Sequence, residues 1–166
     1  SLNLRPVVQR LANAEPDYLL GILYTEDSAR FHQQVQQADL TLPVLATATF
    51  EDPTLLELSN SDGVVFASPR PDDVGSATKA SFAASYESMF NEAPGVLSAT
   101  GYDAAMILIR AIVEAGSDDS TTVTEFIRSL KNYEGVSGIM SFDDQGDVKK
   151  TYGLRIVADG EFQWQE

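Results

Sequence analysis

One stretch narrows the fold more than any other, the run from Asp17 to Phe50. Within it, Tyr18 to Tyr24 is a short apolar segment led in by Pro16 and Asp17, too short for a buried helix. It reads as a strand buried on both faces. A polar turn, Thr25-Glu26-Asp27-Ser28, comes next, followed by a helical pattern with Phe31, Val35 and Ala38 on one side. Leu42 to Phe50 returns as a second strand. Strand, helix and strand in about thirty residues make a βαβ unit, with parallel strands joined by a right-handed crossover. Such units take ligands beyond the carboxyl ends of their strands. That places Tyr24 to Asp27 and Ala46 to Glu51 at the functional edge.

The 166 residues suffice for one ordinary domain or two small lobes. An apolar share of 43% is that of a globular chain, and no unbroken apolar run approaches membrane-spanning length. No membrane insertion is expected. No leader-like segment opens the chain, so an export signal is expected outside this sequence. The formal charge of -14, from 25 acids against 11 bases, repels nucleic acid and anionic membrane surfaces. An acidic coat serving solubility alone is the simpler account of that charge. Cysteine is absent, which removes disulfides, thiolate metal sites and cysteine nucleophiles while leaving the compartment open.

Along the chain, Leu4, Val7, Val8 and Leu11 predict an opening helix with Asn3 as its cap and Pro6 in its first turn. Asp52-Pro53 caps a short helix carrying Leu55, Leu56 and Leu58. Gly63 to Ala67 reads as a third, central strand. Ser68-Pro69-Arg70-Pro71-Asp72-Asp73 breaks both periodicities and reads as a hinge between lobes. Beyond it, Phe82, Tyr86, Met89 and Phe90 form one helical stripe; Tyr102, Ala105, Met106, Ile109, Ile112 and Val113 form a second, stopped by Gly116. Thr122 and Glu125 have capping-box spacing ahead of a third helix. Gly138 to Phe142 and Tyr152 to Val157 read as strands joined through Asp143 to Asp147, and Asp159-Gly160 signals a closing hairpin.

These segments, in this order, resemble a known family. Ser81-Phe82 through Tyr86, Ala93-Pro94, Gly101-Tyr102-Asp103-Ala104-Ala105, Ala111-Ile112, Ala115-Gly116-Ser117, Gly135-Val136-Ser137-Gly138 and Phe142 to Asp147 are similar to the closing half of type I periplasmic binding proteins. The branched-chain amino acid subgroup of importer receptors looks closest. Arg5-Pro6-Val7-Val8, Pro16-Asp17 and a strand ending in Tyr24 are similar to the same proteins in the same order. The resemblance implies an incomplete two-lobe α/β fold: a parallel βαβ sheet of one lobe plus helices of its partner. Residues 1–68 and 151–166 would form the C-terminal lobe, 69–72 the hinge, and 73–150 the helical segment of the N-terminal lobe, whose own sheet is missing. Physical reasoning agrees. Three apolar-faced helices have only Gly138 to Phe142 to cover them, and burial is worth about 25 cal/mol per Å². Bare faces predict a rearranged compact fold or a homodimer, through self-association or exchange of elements between copies.

The same resemblance supplies candidate ligand-binding residues. Tyr24 matches a position where an aromatic at a strand end lines the cleft, offering a ring and a hydroxyl; packing on the following helix is its structural alternative. Thr47, Ala48 and Thr49 follow the second strand, with Ala48 where many amino acid receptors carry an acid for the ligand ammonium. A buried ammonium without a charged partner is costly, so an α-amino acid needs Glu51, Asp27 or a residue outside the chain as substitute. The threonine hydroxyls suit a neutral or anionic ligand instead. Leu97 falls where the family places an apolar residue at the cleft mouth, with capping or core packing as the structural alternative. His32, the only histidine, sits off the apolar stripe and is expected on the surface. The acidic loop 143–147 lacks calcium-loop spacing and is expected to be a hairpin turn.

Function follows from the resemblance: the C-terminal part of an extracytoplasmic, periplasmic solute-binding protein handing a small polar molecule to an ABC importer's permease. No cofactor, metal or nucleic acid is implied. An enzyme is a rival, but glycine-rich phosphate loops, nucleophile elbows and paired histidines are absent from the sequence. A ligand-sensing regulatory domain on the same scaffold is the other.

Overall fold

A computed structural model describes residues 3–57, 61–70 and 76–165. The chain divides into two compact units, Ser1–Ser68 with Gly153–Glu166, and Pro69–Tyr152.

The first unit is built on a five-stranded sheet ordered β1 (Leu19–Gly21), β2 (Val44–Ala46), β3 (Val65–Pro69), β7 (Tyr152–Ala158), β8 (Glu161–Trp164). The first three strands are parallel, with Leu20 beside Leu45 and Leu45 beside Val65. This is the βαβ arrangement the apolar runs predict. Val157 donates to the Val64 carbonyl and Arg70 to that of Thr151, so β7 runs against β3. The β7–β8 hairpin turns at Asp159 and Gly160, both at positive φ, as an Asp-Gly pair allows.

Three helices, α1 (Arg5–Ala14), α2 (Thr25–Gln37) and α3 (Pro53–Leu56), surround the core. Val8, Phe31, Val35 and Leu55 pack there with Leu19, Val44, Phe66 and Val157 from the sheet. Asp52 caps α3 as expected, accepting from the Thr54 N–H at 2.9 Å ahead of Pro53. Leu58 lies outside the described residues.

The sheet itself departs from expectation. β1 is three residues long and is not buried on both faces: Leu19 is 5% exposed but Leu20 is 63% exposed. Ile22, Leu45 and Leu154 are exposed as well. Alternation along a pleat explains this, since adjacent residues look to opposite faces and the three helices' apolar side chains share one core. The second strand also ends early, because Ala48–Phe50 winds into a turn of 3-10 helix.

The second unit holds α4 (Ser76–Phe90), α5 (Val96–Ala115), α6 (Ser120–Ser129) and an antiparallel sheet β4 (Tyr133–Gly135), β5 (Gly138–Phe142), β6 (Val148–Lys150). Residues 143–147 form the β5–β6 turn, with Asp143 accepting from the Gln145 and Asp147 N–H groups at 3.0 and 2.9 Å. Residues 143–147 are thus a hairpin turn as expected, but the strand they lead into is β6, whereas the expected partner, Tyr152–Ala158, belongs to the five-stranded sheet; β4 is a further strand that periodicity does not mark. Ile107, Leu130 and Met140 form a small core joined by Phe126, Ile127, Tyr133 and Phe142. On α4, Phe82, Tyr86 and Phe90 stack in series, with Tyr102 of α5 against Phe82.

Two further corrections concern helices. α6 begins three residues before the expected box: Asp119 is its cap, accepting from both the N–H and hydroxyl of Thr122. α5, 20 residues long with an 18-residue stretch of mean hydropathy 1.5, is long and apolar enough to cross a membrane by length and composition. In the sequence Asp103 and Arg110 interrupt this stretch, so it does not stand out as an unbroken apolar run. In the fold, Asp103, Ile107 and Ala111 are buried inside the unit, while Ile109 and Val113 stay exposed. The bare helical face expected from the sequence is therefore present. Of the expected hinge, Pro71 to Asp73 lie outside the described residues, and Ser68 and Pro69 close the central strand, both buried.

Candidate functional site

Parallel strands deliver their carboxyl ends to one edge of the first unit, and four of the five candidate residues lie there. Tyr24 follows β1 as the cap residue of α2, its side chain 79% exposed. Thr47 ends the extended backbone after β2, and Ala48 and Thr49 enter the 3-10 turn. The two loops are tied together. Thr49 donates its hydroxyl to the Leu23 carbonyl at 2.6 Å, and Thr25 donates to the Thr49 carbonyl at 3.2 Å.

Counting protons on these hydroxyls fixes the polarity of the edge. Thr47 Oγ1 lies 2.8 Å from Thr49 Oγ1. A hydroxyl has one proton, and that of Thr49 is engaged by Leu23, so Thr47 is the donor in this pair. All three threonine hydroxyls thus direct their protons inward and are left with lone pairs. In this arrangement the threonine hydroxyls have acceptors to offer, so a hydrogen-bond donor to a neutral or anionic ligand would have to be the Tyr24 phenol or a group outside this chain.

The acids named as substitutes at the Ala48 position are engaged elsewhere. Glu51 forms an ion pair with Arg155 of β7 and accepts from the Ser68 hydroxyl of β3. Arg155 in turn stacks over the rings of Phe162 and Trp164, at 5.4 and 5.0 Å from their centroids. This network locks the β2 exit loop to the sheet, a role the sequence reading missed because Glu51 and Arg155 are 104 residues apart. Asp27 accepts from Arg30 one turn along α2 at 3.3 Å. Neither carboxylate is an uncommitted counter-ion for an ammonium group.

Leu97 belongs to the second unit, in the first turn of α5, with 61% of its surface exposed. It is not packed into that unit's core.

His32 is not where the sequence placed it. The side chain is buried, 6% exposed, with its ring edge-on to Phe31 at 5.9 Å and Phe50 at 5.1 Å between centroids. Being adjacent to Phe31 on α2, it escaped the stripe reading; the 3-10 turn brings Phe50 to cover it. Burial holds its imidazole below the ordinary value of 6.5.

Comparison with known proteins places this geometry. The family model for periplasmic binding proteins matches residues 1–160. No curated protein matches the chain. Among solved structures, a leucine binding protein, LivK, from Thermotoga maritima is 28% identical, with a TM-score of 0.83, over 100% of this chain and 48% of its own. LivJ, the branched-chain amino acid transporter substrate binding protein from Streptococcus pneumoniae, solved with isoleucine, is 18% identical, with a TM-score of 0.76 over 98% of this chain and 48% of that one. A solute binding protein of an ABC transporter from R. palustris, solved with benzoate, is 16% identical, with a TM-score of 0.81 over 99% and 46%. The chain spans about half the length of each. With a family match along nearly its whole length and a parallel sheet presenting one loop edge, the chain belongs to the periplasmic binding protein family.

Proposed function

We propose that this chain is the closing half of a non-catalytic solute receptor that captures a small polar molecule outside the cytoplasm and delivers it to an ABC importer. The first unit corresponds to the C-terminal lobe, residues 69–72 to the hinge, and the second unit to the helical segment of the N-terminal lobe. Ligand would favour the closed arrangement of lobes over the open one. The observation that carries this reading is the rim itself: Tyr24, Thr47 and Thr49 at the carboxyl ends of two parallel strands, on a chain 28% identical to a leucine binding protein. A branched-chain amino acid or an aromatic acid is the ligand class, by analogy with these relatives; with Glu51 and Asp27 engaged, the ammonium of an amino acid would take its counter-charge from a residue outside this chain. Thr47 and the Tyr24 phenol would accept or share hydrogen bonds from it, while Ala48 leaves space where an acid would otherwise stand.

Half a receptor contacts half a ligand, so the isolated chain is expected to bind no tighter than about the millimolar range, roughly -4 kcal/mol. Titrating leucine and, separately, benzoate while recording amide chemical shifts tests the assignment. Shifts concentrated at residues 24–26 and 47–49, removed by Tyr24→Ala, are expected. Shifts scattered elsewhere with a silent rim would refute it.

A further inference from the structure

The only histidine of the chain lies inside the core of the first unit, on the helix that carries the candidate ligand rim at its other end. It borders a groove of about 620 Å³ at the opposite edge of the sheet, lined by Val35, Gln36, Leu40, Val44, Asp62 and Val64 among others. Every group that this lining brings toward the imidazole from the 40–44 segment and from Gly63 and Val64 is neutral. So are Ser28 and Gln36, one turn away on α2, and the rings of Phe31 and Phe50. Asp62 is the charged group among the lining residues, and it is exposed.

We infer that His32 is an acid-sensitive latch: neutral, it holds α2 against the 3-10 turn through Phe50; protonated, it leaves that position and loosens the rim formed by Tyr24, Thr25 and Thr49. The path is short. Phe50 is 1% exposed and follows Thr49 directly, and Thr49 takes the Thr25 hydroxyl on its carbonyl and gives its own to Leu23. An imidazolium in an aromatic and aliphatic surround is costly, and among the described lining residues the one acid, Asp62, is exposed, so a protonated ring gains by moving toward solvent. Burial is the cause that depresses its proton affinity, so the folded state binds fewer protons than the unfolded one around pH 6.5. The stabilisation due to neutral His32 is therefore complete above that value and declines as pH falls through it toward the folded-state value. The consequence for ligand release rests on reading the rim as a binding edge; the latch itself is tested without ligand.

A single histidine gives a single, assignable imidazole signal. Following its Cε1 proton in the full chain from about pH 7.5 to about pH 5 should give a midpoint below 6.5, with the Thr25 and Thr49 amides moving at the same midpoint. Urea midpoints read from Trp164 fluorescence should fall over that range, and in His32→Phe the fall should be largely removed. A midpoint at or above 6.5, or rim amides that ignore the titration, would overturn the latch. An unchanged pH dependence in His32→Phe would overturn it too. Should His32→Phe fail to fold, the imidazole and amide titrations of the unaltered chain decide the matter.

Discussion

Asp103 shows how one side chain can hold a unit together. It is 2% exposed in the middle of α5, where its carboxylate accepts the N–H groups of Val136 and Ser137 at 2.7 and 2.8 Å together with the Ser137 hydroxyl. Lys150 donates to that same hydroxyl at 2.6 Å, a lysine whose pKa is lowered by burial and partly restored by Asp103. The β4–β5 turn is thereby pinned to α5 in addition to the pairing of its own two strands. Gly135 is required for the approach, since a Cβ there would meet Asp103 Cγ at 2.6 Å. Asp103→Ala leaves buried donors unanswered and should cost about 3 kcal/mol. Gly135→Ala forces the carboxylate aside and should cost about 2 kcal/mol. In the double variant the new methyl enters space the carboxylate has vacated, so the two costs should fall short of additivity by about 1 kcal/mol. Urea unfolding followed by helical circular dichroism measures all three, and strict additivity would disprove the direct opposition. Asp103 and Gly135 both lie within the segments that carry the family resemblance, yet their partnership was invisible in the sequence, because contacts 32 or more residues apart leave no local periodicity.

At the scale of an element, β1 poses a sharper test of what a sequence displays. Leu19 and Leu20 are the same residue in adjacent positions, and no propensity distinguishes them. One is in the core with Val44 and Phe66, and the other stands on the bare face beside Leu45. Leu19→Ala should cost about 3 kcal/mol, whereas Leu20→Ala should change stability by less than about 0.5 kcal/mol. Both are read from Trp164, the only tryptophan, which lies in the same unit. Equal costs would mean that both faces are covered in solution. The parallel βαβ unit of β1, α2 and β2, the hairpin at Asp159-Gly160 and the aromatic stripe of α4 were legible because each depends on nearby residues. The reach of β1 and the burial of His32 were not, because covering groups elsewhere in the chain decide them. The cap of α6 is an intermediate case: Thr122-x-x-Glu125 has the capping-box spacing, but Asp119, three residues earlier, takes the cap position with its carboxylate accepting from the Thr122 N–H.

For the molecule as a whole, two terms of opposite sign act on any encounter between copies. Each unit exposes an apolar face: Leu20, Ile22, Leu45 and Leu154 on the first, Ile109 and Val113 with Met106 and Tyr102 on the second. Parallel sheets are ordinarily covered on both sides, so the first of these faces favours association. Against it stands a net charge of -14, which repels every copy from every other. Screening separates the two. Surface charges are felt across about 30 Å at about 0.01 M salt but only about 8 Å at about 0.15 M, while the attraction between apolar faces survives screening. Self-association should therefore strengthen as salt is raised, and sedimentation at fixed protein concentration should show the weight-average mass climbing. Leu20→Lys together with Leu45→Lys puts charge on the bare sheet and should hold the mass near 18.0 kDa at the same salt. Association that weakens with salt would mean that ion pairs drive it. A monomer at every salt concentration would mean that the charge outweighs both faces and that neither seats a second copy of this chain.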